Sequence, residues 1–206
     1  MNVTLTAKTW GLAKQYQAEV IEAINLRRGP DSEDYTELDA ADKWAFGYLG
    51  EQAVKCILTI NGKHFTHHWD TSGRAAGPDF GTNNTRGYEK HLEVKTASSP
   101  HHGNLAFPDK QRKHVAKSDV VIGARIMSSD AGNGQPILVS VEGWIAKKDW
   151  LDVTPQGPDN RWSVPTIAIP FIQLEPMQKL LDMIMPKGGD AGRLRFEAIR
   201  AQQKNP

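Results

Sequence analysis

Apolar residues along this chain follow two periods, and the switch between them separates helices from strands. Trp10, Ala13, Tyr16, Val20, Ala23 and Ile24 recur at spacings of three and four, which predicts a helix from about Lys8 to Arg28. Gly29-Pro30 stops it. A second helix is predicted over roughly Ala40 to Leu58, with Asp39 as its N-cap and Asp42 in its first turn. That helix is apolar almost all round. Phe46, Leu49, Ala53 and Cys56 form one stripe, and Gly47, Val54 and Leu58 the opposite one. Glu51 falls within the second stripe, so the helix should be sandwiched and Glu51 partly buried. The acidic stretch between the helices, Asp31 to Glu37, reads as a solvated loop.

Beyond the second helix the pattern shortens. Lys63–Trp69, Pro78–Gly81 and Lys90–Thr96 are predicted strands, and the Asn- and Gly-rich run from Gly81 to Gly87 supplies the positive-φ positions of a hairpin. Ser98 to Asn104 reads as a loop and Phe107 to Lys117 as a short helix. Asp119–Met127 and Ile137–Ile145 are strands rich in Val and Ile, joined by the turn Asp130 to Pro136. A Pro-rich segment from Pro155 to Pro170, a helix near Met177–Met185 and a basic tail complete the chain. Helix, three strands, helix, two strands predicts an α/β fold, with a mixed central sheet of about five strands flanked by helices and extra helices at either end. The length of 206 residues suits a single domain. Its core would span about residues 40–145, after an N-terminal helix and acidic loop (1–39) and before a C-terminal extension (146–206).

Charge sharpens this picture. A formal net charge of +1 excludes the blanket basicity of a histone-like protein, but the charge is unevenly spread. Residues 86–117 hold seven basic and three acidic side chains plus four His, so positive potential gathers in one segment. A lone cysteine, Cys56, excludes a disulfide framework and a Cys-rich zinc site. The N-terminus lacks a signal-like apolar run, and no stretch reaches the ~18 apolar residues that span a bilayer. The expectation is a soluble, intracellular, cytoplasmic protein without membrane association.

The candidate chemistry lies within the same basic segment. On a strand, Glu93 and Lys95 share one face while Leu92, Val94 and Thr96 take the other. Such a pair alone is commonly a solvated ion pair, and Pro-Asp occurs four times, at Asp31, Asp79, Asp109 and Asp159. Order is what selects Asp79. It alone enters a strand able to form a hairpin with the Glu93 strand. Asp70 competes, but lacks the Gly77-Pro78 turn. Two carboxylates aimed at one point repel unless a cation joins them. A site of one or two carboxylates plus waters suits Mg²⁺, which can acidify a coordinated water and offset charge building on a phosphate.

Pro78-Asp79, Glu93-Val94-Lys95 and Glu51 on the preceding helix resemble the PD-(D/E)xK nuclease superfamily, with its restriction-endonuclease-like fold, over about residues 40–145. The resemblance implies a Mg²⁺-dependent endonuclease, with Mn²⁺ substituting, that hydrolyses phosphodiester bonds in double-stranded DNA. Asp79 and Glu93 would bind metal, the Val94 carbonyl would complete the shell, and Glu51 would assist through water or a second ion. Lys95 would orient or help deprotonate the attacking water, or neutralise charge on the phosphorane. The plain alternative for Glu51 is an ion pair with Lys55 at i+4. Gln111 stands where some members place a site-touching Gln. Val115 replaces the Tyr of the exonuclease-like branch, a departure from processive exonucleases. Arg112, Lys113 and Lys117 read either as phosphate contacts or as a solvated helix face. Members that cut duplexes are often homodimers, since two strands need two sites. The first helix and C-terminal segment are the candidates for dimerisation or target recognition.

Three rivals share these residues. A non-catalytic nucleic-acid-binding protein and a junction or flap resolvase could both use the fold. A structural protein would leave Glu93 and Lys95 exposed and far from Asp79. His64, His67, His68, His101 and His102 invite a zinc reading, but Asn104 follows His102 too closely for an HNH nuclease, and loop or surface histidines are expected. Trp144 and Trp150, with Lys147 and Lys148 between them, could stack on bases, although packing is the commoner use.

Overall fold

A computed structural model describes residues 1–28, 42–68, 78–128, 133–158 and 163–188. A six-stranded mixed sheet, flanked by helices, forms its centre. In chain order the elements are β1 (Asn2–Leu5), α1 (Ala7–Arg28), α2 (Lys43–Ile60), β2 (Phe65–His67), β3 (Phe80–Asn83), β4 (Glu89–Ala97) and β5 (Asn104–Pro108). After a 3₁₀ turn at Asp109–Gln111 come α3 (Arg112–Val115), β6 (Val120–Ile126), β7 (Ile137–Ala146), α4 (Lys147–Trp150), β8 (Thr166–Pro170) and α5 (Met177–Met183). The sheet order is β1-β7-β6-β4-β3-β2. All neighbours are antiparallel except β4 and β6, which run parallel with Glu93 beside Val121 and Lys95 beside Gly123.

Both long helices form where the periodicity places them. Ala13, Val20 and Ile24 of α1 are buried, and so are Leu49, Ala53, Val54 and Leu58 of α2, on both of its stripes. The second helix therefore lies between α1 and the sheet. Its start differs from expectation. Asp39 lies outside the described residues, and Asp42 precedes the helix in a left-handed conformation (φ 47°) without capping it. Gln17 of α1 does that job: its Oε1 accepts the Ala45 N–H at 3.1 Å, and its amide donates to Asp42. Lys14 also pairs with Asp42.

The sheet has six strands rather than about five, because Asn2–Leu5 pairs with β7. The predicted helix from Phe107 begins as a strand. Phe107 belongs to β5, which pairs antiparallel with β8 from the Pro-rich segment, and only Arg112–Val115 is α-helical. Leu105, Phe107, Ile167 and Ile169 alternate inward from this ribbon to form a second apolar cluster with Val121, Val115 and Trp150. The expected end of the first strand, Trp69, lies outside the described residues.

One close approach sets the distance between α2 and the sheet. A Cβ on Gly50 would sit 1.9 Å from Thr96 Oγ1 and 3.1 Å from Thr96 Cβ, so only glycine lets this turn of α2 lie on β4. Gly50→Ala is expected to cost about 1–3 kcal/mol in denaturant unfolding by overpacking. Adding Thr96→Ala removes the severe clash and should recover most of the loss. Equal stability of the single and double variants would refute this account.

Candidate metal centre

The hairpin register builds the site. Phe80 faces Leu92 across β3 and β4, so one step further the antiparallel register sets Asp79 opposite Glu93. Asp79 Oδ2 accepts the Val94 N–H at 2.6 Å. The backbone of the expected metal-binding residue Val94 thus fixes the first carboxylate. Lys95 Nζ donates to Glu93 Oε1 at 2.7 Å, and the Lys95 side chain keeps 21% of its surface exposed against 4% for Glu93. Glu93 Oε2 is buried with no hydrogen-bond partner among the described residues. The surface-pair alternative is overturned by this burial and by the Asp79–Val94 bond.

Glu51 reaches the same site from α2, just after the Gly50 contact. Its partner is not Lys55: Glu51 Oε2 lies 3.0 Å from His67 Nε2. His67 stacks on Phe80, with ring centroids 4.6 Å apart and planes tilted by 12°. Burial, then repulsion from Glu93, pushes the Glu51 carboxyl up to about 8 against the pull of Lys95. Burial, then Lys55, pushes His67 down to about 4. The separation alone suggests an ion pair, but both shifts favour the uncharged forms, so at neutral pH the contact is a neutral hydrogen bond.

Asp79 is raised well above the ordinary aspartate value, by burial first and then by Glu51 and Glu93, against Lys95 and the Val94 N–H. Burial pushes Lys95 down, yet Glu93, Asp79 and Glu51 outweigh it and leave the ammonium held above its ordinary value. Three carboxyls therefore converge electrostatically on one ammonium. If all three ionise, two negative charges remain uncompensated, which is the deficit a divalent cation would fill. The donor set fits such an ion through the carboxylates of Asp79 and Glu93, with the unpartnered Glu93 Oε2 as the most available oxygen. No group of three His, Cys, Asp or Glu side chains among the described residues forms a ready coordination sphere. A hydrated ion held by one or two protein oxygens would not require such a group.

The remaining expected residues divide. Arg112 is not a free phosphate contact: it pairs with Asp109 at 2.7 Å and donates to the Leu151 and Val153 carbonyls, fastening α3 to the segment after α4. Asp109 is thereby explained as its partner. Gln111 sits half-buried in the 3₁₀ turn, and Lys113 and Lys117 are exposed. His114 approaches the site instead. Burial lowers its pKa, Glu93 opposes that, Lys95 and Lys117 reinforce it, and its Nδ1 is buried without a partner among the described residues. Asp31, Asp70 and Asp159 lie outside the described residues.

His67 is the site residue that the sequence reading set aside. Phe65 and His67 are two apart on β2 and share a face, a period-2 signal that would have separated His67 from the exposed His64 and His68. Trp150 is buried edge-on against Phe107 and serves packing, whereas Trp144 is only half-buried and its indole donates to the Pro176 carbonyl. No helix among the described residues is long and apolar enough to cross a membrane. No protein-family model, curated protein or solved structure matches the chain.

Proposed function

We propose that this protein is a Mg²⁺-dependent nuclease of the PD-(D/E)xK type that hydrolyses phosphodiester bonds in DNA, double-stranded DNA first. The carrying observation is the electrostatic convergence of Asp79, Glu93 and Glu51 on Lys95, with one buried Glu93 oxygen left without a hydrogen-bond partner among the described residues. The element order supports the reading: a helix, an antiparallel three-strand meander, then a short helix leading to a strand parallel with β4. When bound, a divalent cation supplies Lewis acidity toward the phosphate and a more acidic water.

The chain's own groups do the rest. Val94 N–H holds the Asp79 carboxylate in place, and Glu93 aims one oxygen at the site while anchoring Lys95 with the other. Lys95, kept protonated by its acidic neighbours, serves as a charged donor that orients the attacking water and offsets negative charge on the phosphate. Glu51, with its raised pKa, can hold a proton near neutral pH and pass it to or from a water in the site. His67 fixes the orientation of that carboxyl. Lys113 and Lys117 are the exposed cations available to flanking phosphates.

Incubation with supercoiled plasmid, linear duplex and branched DNA, in Mg²⁺, Mn²⁺ or EDTA, tests the proposal. Cleavage is expected with either metal and none with EDTA. Preference for branched substrates would identify the structure-specific resolvase. DNA binding without cleavage on every substrate would favour the non-catalytic binding protein.

A further inference from the structure

A cavity of about 780 Å³ lies on the face of the sheet opposite Glu93 and Lys95. Its floor is Leu92, Val120, Trp144 and Ala146, which the β4–β6–β7 register places on one side of the sheet. Its roof is α5, through Leu180 and Met183, with Ile184 just after it. The roof is pinned at both ends. Glu175 exchanges backbone hydrogen bonds with Trp144, and the Met183 and Met185 backbones bond to Thr85 and Asn83. The groove is thus bounded by fixed backbone rather than by loosely placed side chains.

The mouth is cationic. Arg86, Lys90, Lys147 and Lys148 line it against a single carboxylate, Asp119, which Lys90 already pairs at 3.2 Å. Arg86, Lys147 and Lys148 have no ion pair among the described residues. Tyr88, 67% exposed, stands at the same edge, and Trp144 offers a second ring inside. Asn84 also lines the cavity. Its Oδ1 accepts the Arg86 and Tyr88 N–H groups at 2.9 and 3.0 Å, so its amide NH₂ remains as an oriented donor.

We infer that this groove binds an unpaired nucleotide, with its base in the apolar channel beside Trp144 and Tyr88 and its phosphate among Lys147, Lys148 and Arg86. An alkyl anion would match the floor, but would leave the oriented Asn84 donor unused and needs fewer cations than the mouth provides. A planar base uses both rings and the amide, and a dianionic phosphate matches the excess positive charge. The site is distinct from the carboxylate cluster and does not depend on metal there.

Calorimetric titration of the full chain in EDTA, so that no cleavage occurs, tests it. The probes are dAMP, inorganic phosphate, octyl phosphate and a short single-stranded oligonucleotide ending in dA. Saturable dAMP binding with Kd below about 1 mM is expected, at least roughly tenfold tighter than inorganic phosphate or octyl phosphate. Lys147→Ala/Lys148→Ala and, separately, Tyr88→Ala should each weaken it about tenfold with unchanged circular dichroism. Asp79→Asn, which keeps the hairpin bond to Val94, should leave it unchanged, which separates this site from the proposed nuclease centre. Tighter oligonucleotide binding through the same residues would place the nucleotide on a strand, and equal affinity would make it a free ligand. Octyl phosphate binding as tightly as dAMP, indifference to both variants, or no dAMP binding at 10 mM (a concentration about tenfold above the expected ceiling) would overturn the inference.

Discussion

In the proposed nuclease, Lys95→Met is expected to lower the DNA cleavage rate by roughly 10²–10³-fold, the usual effect of losing one charged donor from such a site. Asp79→Asn should cost at least as much. The asparagine carbonyl can still accept the Val94 N–H, so the hairpin keeps its geometry while the carboxylate charge disappears. The two variants should also differ in stability. Removing the ammonium leaves the Glu93 carboxylate buried beside nothing that neutralises it, an arrangement that typically costs about 3–5 kcal/mol. Asp79→Asn removes a carboxylate that already resists ionisation, and should leave the midpoint of thermal unfolding unchanged or higher. Rates measured under single-turnover conditions, with folding checked by calorimetry, separate the two effects. Full activity in both variants would remove these residues from the chemistry.

Without added cation, the protein will lose stability as pH rises from about 6.5 to about 8. Glu51 has an ordinary pKa of 4.5 when unfolded and one of about 8 in the fold, so in this window the folded state holds a proton that the unfolded state has released. Stability therefore falls with rising pH. Asp79, also raised, acts in the same direction. His67 works oppositely at lower pH: unfolded it takes a proton near 6.5, folded only near 4, so its contribution is lost as pH drops between those values. From 4.5 to 6.5 the two residues oppose each other, and above 6.5 the carboxyls dominate. Glu51→Gln should flatten the high-pH decline and raise the unfolding midpoint at pH 8 by several degrees, since about 1 kcal/mol moves a chain of this size by roughly 2–4 °C. Mg²⁺ should stabilise the native protein more at pH 8 than at pH 6, because it competes with those protons. A Glu51→Gln protein less stable than the native one at pH 8 would mean that Glu51 is ionised in the fold, and this account would fail.

Much of the site was legible because its determinants are local. The alternation that sends Leu92 and Val94 inward also puts Glu93 and Lys95 together, and the Gly- and Asn-rich turn after β3 brings Asp79 across from them. The two stripes of α2 marked Glu51 as partly buried, which it is. What escaped depends on partners distant in sequence. Leu105 and Phe107 alternate like a strand, but their register with Ile169 and Ile167 is made by a segment punctuated with Pro165 and Pro170. A run of basic residues looks alike whether it faces phosphate or protein. Only the Leu151 and Val153 carbonyls, some forty positions on, show that Arg112 is a structural tie. The Glu51–His67 contact likewise joins a helix to a strand through a side-chain meeting that no periodicity encodes.

The glycine pair Gly123 and Gly143 has a bearing on how the molecule comes into being. The two face each other across β6 and β7, and a Cβ on either would strike Leu174 or the Glu175 carbonyl, so the chain after β8 crosses the sheet through a notch only these residues leave. It then turns past Trp144 and bonds to Asn83 and Lys63, beside the strand that follows Asp79. Contacts so far apart along the chain make for slow folding. During synthesis, at roughly 5–20 residues per second, the hairpin bearing the acidic cluster must wait for a segment about a hundred residues downstream. The groove beneath α5 is therefore among the last parts of the protein to close.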